Sequence, residues 1–265
     1  MIMDGKAVAR AHIRAIRAAV ESSGITPRLT VFTCAPNFET QKFLALKERA
    51  AVEAGVAVSV VTLPLSVTLR EVERAVIEAV KTSDGIIIQF PFPHLSTALL
   101  AALIPETHDV DVMRYEGQIT DPLPPVVGAI DILAREYDID FAEKSVVVVG
   151  NGRLVGAPAA LYAQSRGATV TVLTKESFNP EAILASEILI LGAGVPGLIT
   201  PELVQDGVVV FDAGTSEEGG VLVGDAAPEV AHKARFFTPV PGGIGPLTVA
   251  TLLKNVLYFA QMHRK

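Results

Sequence analysis

The sequence predicts an α/β protein of two α/β domains, the second a Rossmann-like parallel sheet, with a C-terminal helix returning to the first domain. Three observations predict this. Helical and strand-like periodicities alternate along nearly the whole chain. The strand-like runs are short and rich in Val and Ile, as in sheets covered by helices on both faces. One of them, Ser145-Val-Val-Val-Val149, runs straight into a glycine turn and a helix start.

Taken in order, Ala9, Ile13, Ile16 and Val20 share one face of an opening helix that Gly24 ends. Residues 29–32 read as a buried strand. A helix over 39–53 stops at Gly55, and 56–62 is the next strand. Residues 69–81 are helical, and Gly85-Ile-Ile-Ile88 is a short buried strand. From 89 to about 125 the pattern is irregular and proline-rich, so a domain boundary falls near its end. Residues 1–122 with 247–265 form the N-terminal domain, and 123–246 form the second. A helix over 126–136 bridges into the second domain. Strand 145–149, helix 156–166 and strands 169–173, 188–191 and 208–211 follow. The last helix, 247–262, comes after a glycine-rich loop.

Half of the 265 residues are apolar, enough to bury a substantial core. A net charge of −7 argues against a general electrostatic grip on nucleic acid. The single cysteine, Cys34, excludes an internal disulfide framework and a cysteine-rich metal site, and it fits a cytoplasmic protein. No run approaches the ~20 apolar residues of a membrane helix, and the N-terminus lacks the apolar core of a secretory signal. The histidines His12, His94, His232 and His263 show no metal-ligand spacing and read as surface or cap residues, so no metal is expected. Glu217-Glu218 reads as a solvated loop.

The most informative local pattern is Gly150-Asn151-Gly152-Arg153-Leu-Val155-Gly156, followed by Pro158. Gly150 allows a sharp turn, Gly152 lets backbone N–H groups approach a pyrophosphate, and Gly156 lets the helix pack near the strand. The helix N-terminus adds partial positive charge. An ordinary strand-to-helix turn would show the same spacing. Two further strands end in Gly192-Ala-Gly194 and in Asp212-Ala-Gly214, which strengthens the dinucleotide reading. The second strand of the unit ends in Thr174-Lys175. Lys175, with Arg153, could pair with a 2′-phosphate and favours NADP, whereas Glu176 keeps NAD open.

Six collinear segments resemble the methylenetetrahydrofolate dehydrogenase/cyclohydrolase family. They are Asp4-Gly5-Lys6, Asp84-Gly-Ile-Ile-Ile-Gln89-Phe-Pro91-Phe-Pro93, His108-Asp-Val-Asp111, the 150–158 turn, Val195-Pro-Gly197, and Thr238-Pro-Val-Pro241-Gly242-Gly243-Ile-Gly-Pro-Leu-Thr248-Val-Ala-Thr-Leu252. The resemblance implies oxidation of 5,10-methylenetetrahydrofolate with NADP or NAD, then hydrolysis to 10-formyltetrahydrofolate, in one cleft between two domains. It also implies a homodimer whose partners are tetrahydrofolate derivatives rather than nucleic acid or membrane.

Carried over by position, the resemblance makes Lys47 the catalytic lysine, Gln89 the glutamine that orients it, and Asp111 the aspartate that binds the pterin. Thr40, Phe43, Pro91, Pro241, Gly242 and Gly243 become substrate contacts. Gly150, Asn151, Gly152, Arg153, Val155, Gly156, Thr174, Lys175, Gly192, Gly194, Asp212, Gly214 and Thr248 become cofactor contacts. The chain departs from the family pattern at Phe43 (tyrosine), His108 (lysine), Val112 (glycine), Pro124-Pro-Val-Val-Gly128 (C-T-P-x-G), Asn151-Gly152 (Arg-Ser) and Val195 (lysine). A dehydrogenase with one surviving activity, and a non-catalytic folate or nucleotide binder, remain alternatives.

Overall fold

Strand β1 (Arg28–Cys34) is the centre of a three-stranded parallel sheet, flanked by β2 (Ala57–Leu63) and β3 (Gly85–Gln89) in the order β2-β1-β3. The computed structural model describes residues 1–36 and 38–264. They group into two units: residues 11–114 with 252–265, and residues 1–10 with 115–251.

Helix α1 (Gly5–Ser23) enters the first unit from residue 11 onward and precedes β1; there α2 (Phe38–Ala54) leads to β2, and α3 (Leu69–Val80) leads to β3. Helix α1 buries Ala9, Ile13, Ile16 and Val20, the face its periodicity marks. The left-handed Gly55 follows α2, and the Val56 N–H closes back on the Ala51 carbonyl at 2.9 Å. Helix α3 begins with a capping box between Thr68 and Glu71. Phe32, Val72, Val76, Ile86, Ile88 and Leu100 form a common core. Each such fully buried side chain contributes about 1.5–3 kcal/mol. A short helix α4 (Thr97–Ala102) lies in the stretch that the sequence leaves irregular. Its six residues are too few for a periodicity to show.

In the second unit, α5 (Pro125–Glu136) leads to β4 (Ser145–Val149), α6 (Gly156–Ser165), β5 (Thr169–Leu173), α7 (Pro180–Leu184), β6 (Ile188–Leu191) and β7 (Val209–Asp212). The hairpin β8 (Ser216–Glu218) and β9 (Val221–Val223), the short strand β10 (Phe236–Phe237) and helix α8 (Ile244–Met262) complete the chain. The main sheet is parallel, in the order β10-β7-β6-β4-β5. Glu217-Glu218, expected as loop, is strand β8. Gly219 and Gly220 both have positive φ, the conformation that a two-residue hairpin turn requires. Tyr162 on α6 is fully buried, and its hydroxyl donates to Asp131 Oδ1 on α5 at 2.8 Å.

The expected domain limits differ from this division. Residues 1–10 group with the second unit because their backbone pairs with β10. The Met3 N–H donates to the Phe237 carbonyl at 2.8 Å, and the Phe237 N–H donates to the Met1 carbonyl at 3.0 Å. Of the last helix, the residues from 252 onward group with the first unit. There Val256 packs at Gly85, and Asn255 Nδ2 donates to the Val110 carbonyl at 2.9 Å. Among the described residues no helix is long and apolar enough to cross a membrane.

Candidate active site and dinucleotide site

In the first unit, α2 carries Thr40, Phe43 and Lys47 at spacings of three and four, which puts them on one helix face. Thr40 is buried, and Phe43 and Lys47 are half-buried. Gln89 ends β3, in register with Thr33 of β1. Lys47 Nζ donates to Gln89 Oε1 at 2.5 Å, and Gln89 Nε2 turns toward the Phe90 carbonyl at 3.5 Å. An amide oxygen can only accept, so Lys47 is the donor in this contact. Desolvation lowers the Lys47 pKa below the ordinary lysine value, and the nearby Asp111 charge opposes that shift. Burial raises the Asp111 carboxyl, and Lys47 opposes it. The structure therefore brings Lys47, Gln89 and Asp111 together. The lysine is eased toward its neutral, proton-accepting form.

Asp111 sits in a tight turn that Asp109 closes. Asp109 Oδ2 accepts from the Met113 N–H at 2.8 Å, and the Val112 N–H donates to the Asp109 carbonyl at 3.2 Å. Val112 has φ +50°, a left-handed conformation costly for a β-branched residue. The family pattern has glycine there. Asp109 is buried, and burial pushes its carboxyl up to about 6. His263, expected at the surface or in a cap, stacks on His108 with ring centroids 4.5 Å apart. Its Nε2 lies 3.0 Å from the Thr107 carbonyl oxygen. Pro91 is exposed and follows a cis peptide bond.

In the second unit, the glycine turn is built as its spacing requires. Gly150 has φ +101°, and a Cβ there would overlap the Gly192 carbonyl. A Cβ at Gly156 would overlap the Gly150 carbonyl, and one at Gly192 would overlap Val155. A Cβ at Gly152 would meet nothing within 4 Å. The N–H groups of Asn151, Gly152 and Arg153 pair with no acceptor among the described residues, at the mouth of helix α6. This open, donor-rich cradle fits a pyrophosphate. Arg153 and Lys175 are exposed cations on the loops after β4 and β5. Thr174 Oγ1 donates to Glu176 Oε2 at 2.8 Å, which helps hold the Glu176 pKa below the ordinary glutamate value.

Other expected contacts also have partners within the protein. Asp212 is 1% exposed, and both of its carboxylate oxygens accept backbone N–H groups, from Gly214, Asp225 and Ala226. Burial pushes its carboxyl up to about 7, against the pull of those donors. Gly214 is glycine because a Cβ would overlap the Asp225 carboxyl. Thr248 Oγ1 donates to the Ile244 carbonyl, 3.1 Å away. Gly242 has φ +118°, and a Cβ at Gly243 would press on Thr238 and the Pro239 carbonyl, so internal packing already requires both glycines. Sequence reasoning missed Asp109 and Asp225. The only sequence cue for Asp225 is a Gly-Asp step after the hairpin. Among the described residues no cluster of His, Cys, Asp or Glu is placed to hold a metal ion.

These features define a class: an α/β protein with a dinucleotide turn in one unit and a lysine–carboxamide–carboxylate set in the other. Two family models cover nearly all of it. Residues 3–111 match the catalytic domain of tetrahydrofolate dehydrogenase/cyclohydrolase, and residues 124–264 match the NAD(P)-binding domain of the same family. The chain belongs to the tetrahydrofolate dehydrogenase/cyclohydrolase family. It is similar to the bifunctional protein FolD of Campylobacter curvus, at 33% identity over 100% of this chain and 97% of the relative. A protein of the same name from Thermus thermophilus is 34% identical over 99% of this chain and 97% of the relative. Among solved structures, Trypanosoma brucei methylenetetrahydrofolate dehydrogenase-cyclohydrolase, complexed with NADP and an inhibitor, has a TM-score of 0.93 and 31% identity, covering 100% of this chain and 98% of that one.

Proposed function

We propose that this protein oxidises 5,10-methylenetetrahydrofolate to 5,10-methenyltetrahydrofolate with NADP and then hydrolyses that cation to 10-formyltetrahydrofolate. The observation that carries this is the 2.5 Å bond from Lys47 Nζ to Gln89 Oε1, with Asp111 close enough for its charge to act on the lysine. Hydride transfer to the nicotinamide moves no proton, but the hydrolytic reaction needs a group that takes one from water at neutral pH. A desolvated lysine supplies one.

In this reading Asp111 accepts the N–H pair of the pterin's aminopyrimidinone edge, a bidentate and charge-assisted contact. Gln89 fixes the lysine nitrogen, and neutral Lys47 takes a proton of the water that attacks the methenyl carbon; the adduct then opens as its carbon–N5 bond breaks, the adduct's hydroxyl becomes the formyl carbonyl, and N5 takes up a proton. Phe43 stacks on the substrate without the hydroxyl of the family's tyrosine, and Thr40 and Pro91 flank it. Bound NADP supplies the hydride acceptor. The N–H groups of residues 151–153 hold its pyrophosphate, and Arg153 and Lys175 are the cations for its 2′-phosphate. The protein serves one-carbon metabolism, including purine biosynthesis, as a cytoplasmic homodimer. Light scattering at twice the chain mass tests the dimer.

Purified protein given methylenetetrahydrofolate should reduce NADP, and Lys47→Ala should lose methenyl hydrolysis while still binding NADP. Absence of turnover with both NADP and NAD would overturn the proposal.

A further inference from the structure

Asp225 is fully buried in the second unit, yet no step described above uses it. Its Oδ2 accepts from the Ala193 N–H at 2.6 Å and the Gly194 N–H at 3.1 Å, and its Oδ1 accepts from the Val195 N–H at 2.8 Å. Three successive donors of the loop after β6 thus converge on one carboxylate. Its own backbone is held as firmly. The Asp225 N–H donates to Asp212 Oδ1 at 3.2 Å, and the Asp225 carbonyl accepts from the Ile199 N–H at 2.9 Å. Glycine is required on both sides of this arrangement. A Cβ at Gly214 would overlap the Asp225 carboxyl, and one at Gly224 would overlap Asp212 Oδ2.

The loop held in this way begins at the dinucleotide turn. Gly192, which starts it, packs so closely on Gly150 and Val155 that a Cβ at either Gly150 or Gly192 would collide with the other segment. In a parallel α/β sheet the cofactor crosses the carboxyl ends of the strands, where β4 and β6 are neighbours here. The loop's three N–H groups are spent on Asp225, so the loop meets a cofactor with its shape already set. Removing the acceptor would leave three inward-facing donors without a partner. Such groups are costly when buried, and the loop would refold to reach water.

We propose that Asp225 is a positioning residue for the dinucleotide: by clamping residues 193–195 it sets the shape of the surface beside the glycine turn, and hence cofactor affinity, without touching the cofactor. This rests on the reading of the second unit as an NADP site. Asparagine is nearly isosteric with aspartate but replaces one acceptor oxygen by a donor, so it cannot serve all three N–H groups.

Calorimetric titration of Asp225→Asn with NADP, in the absence of folate, should show affinity reduced about tenfold, as expected for losing charge-assisted bonds. Methenyl hydrolysis needs no cofactor, and its rate should stay within about twofold of wild type. A variant that had merely lost folded protein would lose both in proportion. Hydrogen exchange of the cofactor-free protein gives a second readout. The amides of residues 193–195 should be protected in wild type and should exchange faster in Asp225→Asn. If Asp225→Asn does not fold, Asp225→Glu keeps the charge but shifts the carboxylate by one methylene, and the same loss of NADP affinity is expected. Unchanged NADP affinity in a folded variant with deprotected amides overturns the positioning role alone. Fast exchange of these amides in wild type does so as well. Wild-type protein that binds neither NADP nor NAD overturns both this role and the functional reading beneath it.

Discussion

Gln89→Leu tests the proposed proton-transfer pair most directly. Leucine keeps much of the glutamine's volume but removes the acceptor that lies 2.5 Å from Lys47 Nζ. A hydrogen bond to a charged group contributes about 1.5–3 kcal/mol. Neutral Lys47 becomes an ammonium as it takes the proton, so the bond strengthens in the transition state, and losing about 2 kcal/mol there slows the step about thirtyfold, at roughly 1.4 kcal/mol per factor of ten. The assay is the initial rate of methenyl hydrolysis at saturating substrate, with a thermal melt to confirm the fold. NADP binding should not change, because Gln89 lies on β3 of the other sheet. Gln89→Glu supplies the opposite perturbation. A carboxylate at that position raises the proton affinity of Lys47, so hydrolysis falls and its rise with pH moves to higher pH. Hydrolysis by Gln89→Leu within about threefold of wild type would refute the reasoning, because the amine would then need no orienting acceptor.

Three further outcomes are expected. Gly156→Ala forces a Cβ onto the Gly150 carbonyl. Such overpacking costs about 1–3 kcal/mol, and calorimetry should show weakened NADP binding. Tyr162→Phe removes the 2.8 Å donor to Asp131 Oδ1, which keeps the 3.3 Å bond from Arg135 Nη2, and chemical denaturation should show a loss of about 0.5–1.5 kcal/mol. The Asp212 carboxyl is raised by burial to about 7, so the folded state holds its proton more tightly than the unfolded chain does. That contribution is complete below the ordinary carboxylate pKa and is lost as pH rises toward 7. The stability of wild type relative to Asp212→Asn should therefore be greatest near pH 4 and shrink by pH 7 in parallel urea titrations; a gap that widens with pH would contradict it.

The fold's main elements were legible because their signals are local. Ile13 and Ile16 mark the buried face of α1 through helical spacing. Val146 to Val149 announce a buried strand, and Gly150 and Gly156 mark the turn after it. The short elements were not legible. Helices α4 and α7 have too few residues to show a period, and β10 is two residues that exist through pairing with β7. The resemblance carried Lys47, Gln89 and Asp111. Spacing alone could not, because 42 residues separate the lysine from the glutamine it bonds.

Residue order was enough to specify the parallel α/β architecture and the glycine turn, since periodicity, backbone freedom and motif spacing are properties of neighbouring positions. It could not specify what each buried polar group would spend its bonds on. The sequence marks Asp212 and Gly214 as cofactor contacts, and only the fold shows that Asp212 also accepts backbone N–H groups and that Gly214 leaves room for the Asp225 carboxyl. The desolvation that lowers the Lys47 pKa is equally a product of packing. Burial and hydrogen-bond satisfaction depend on segments far apart in the chain, and they acquire values only when those segments close on one another.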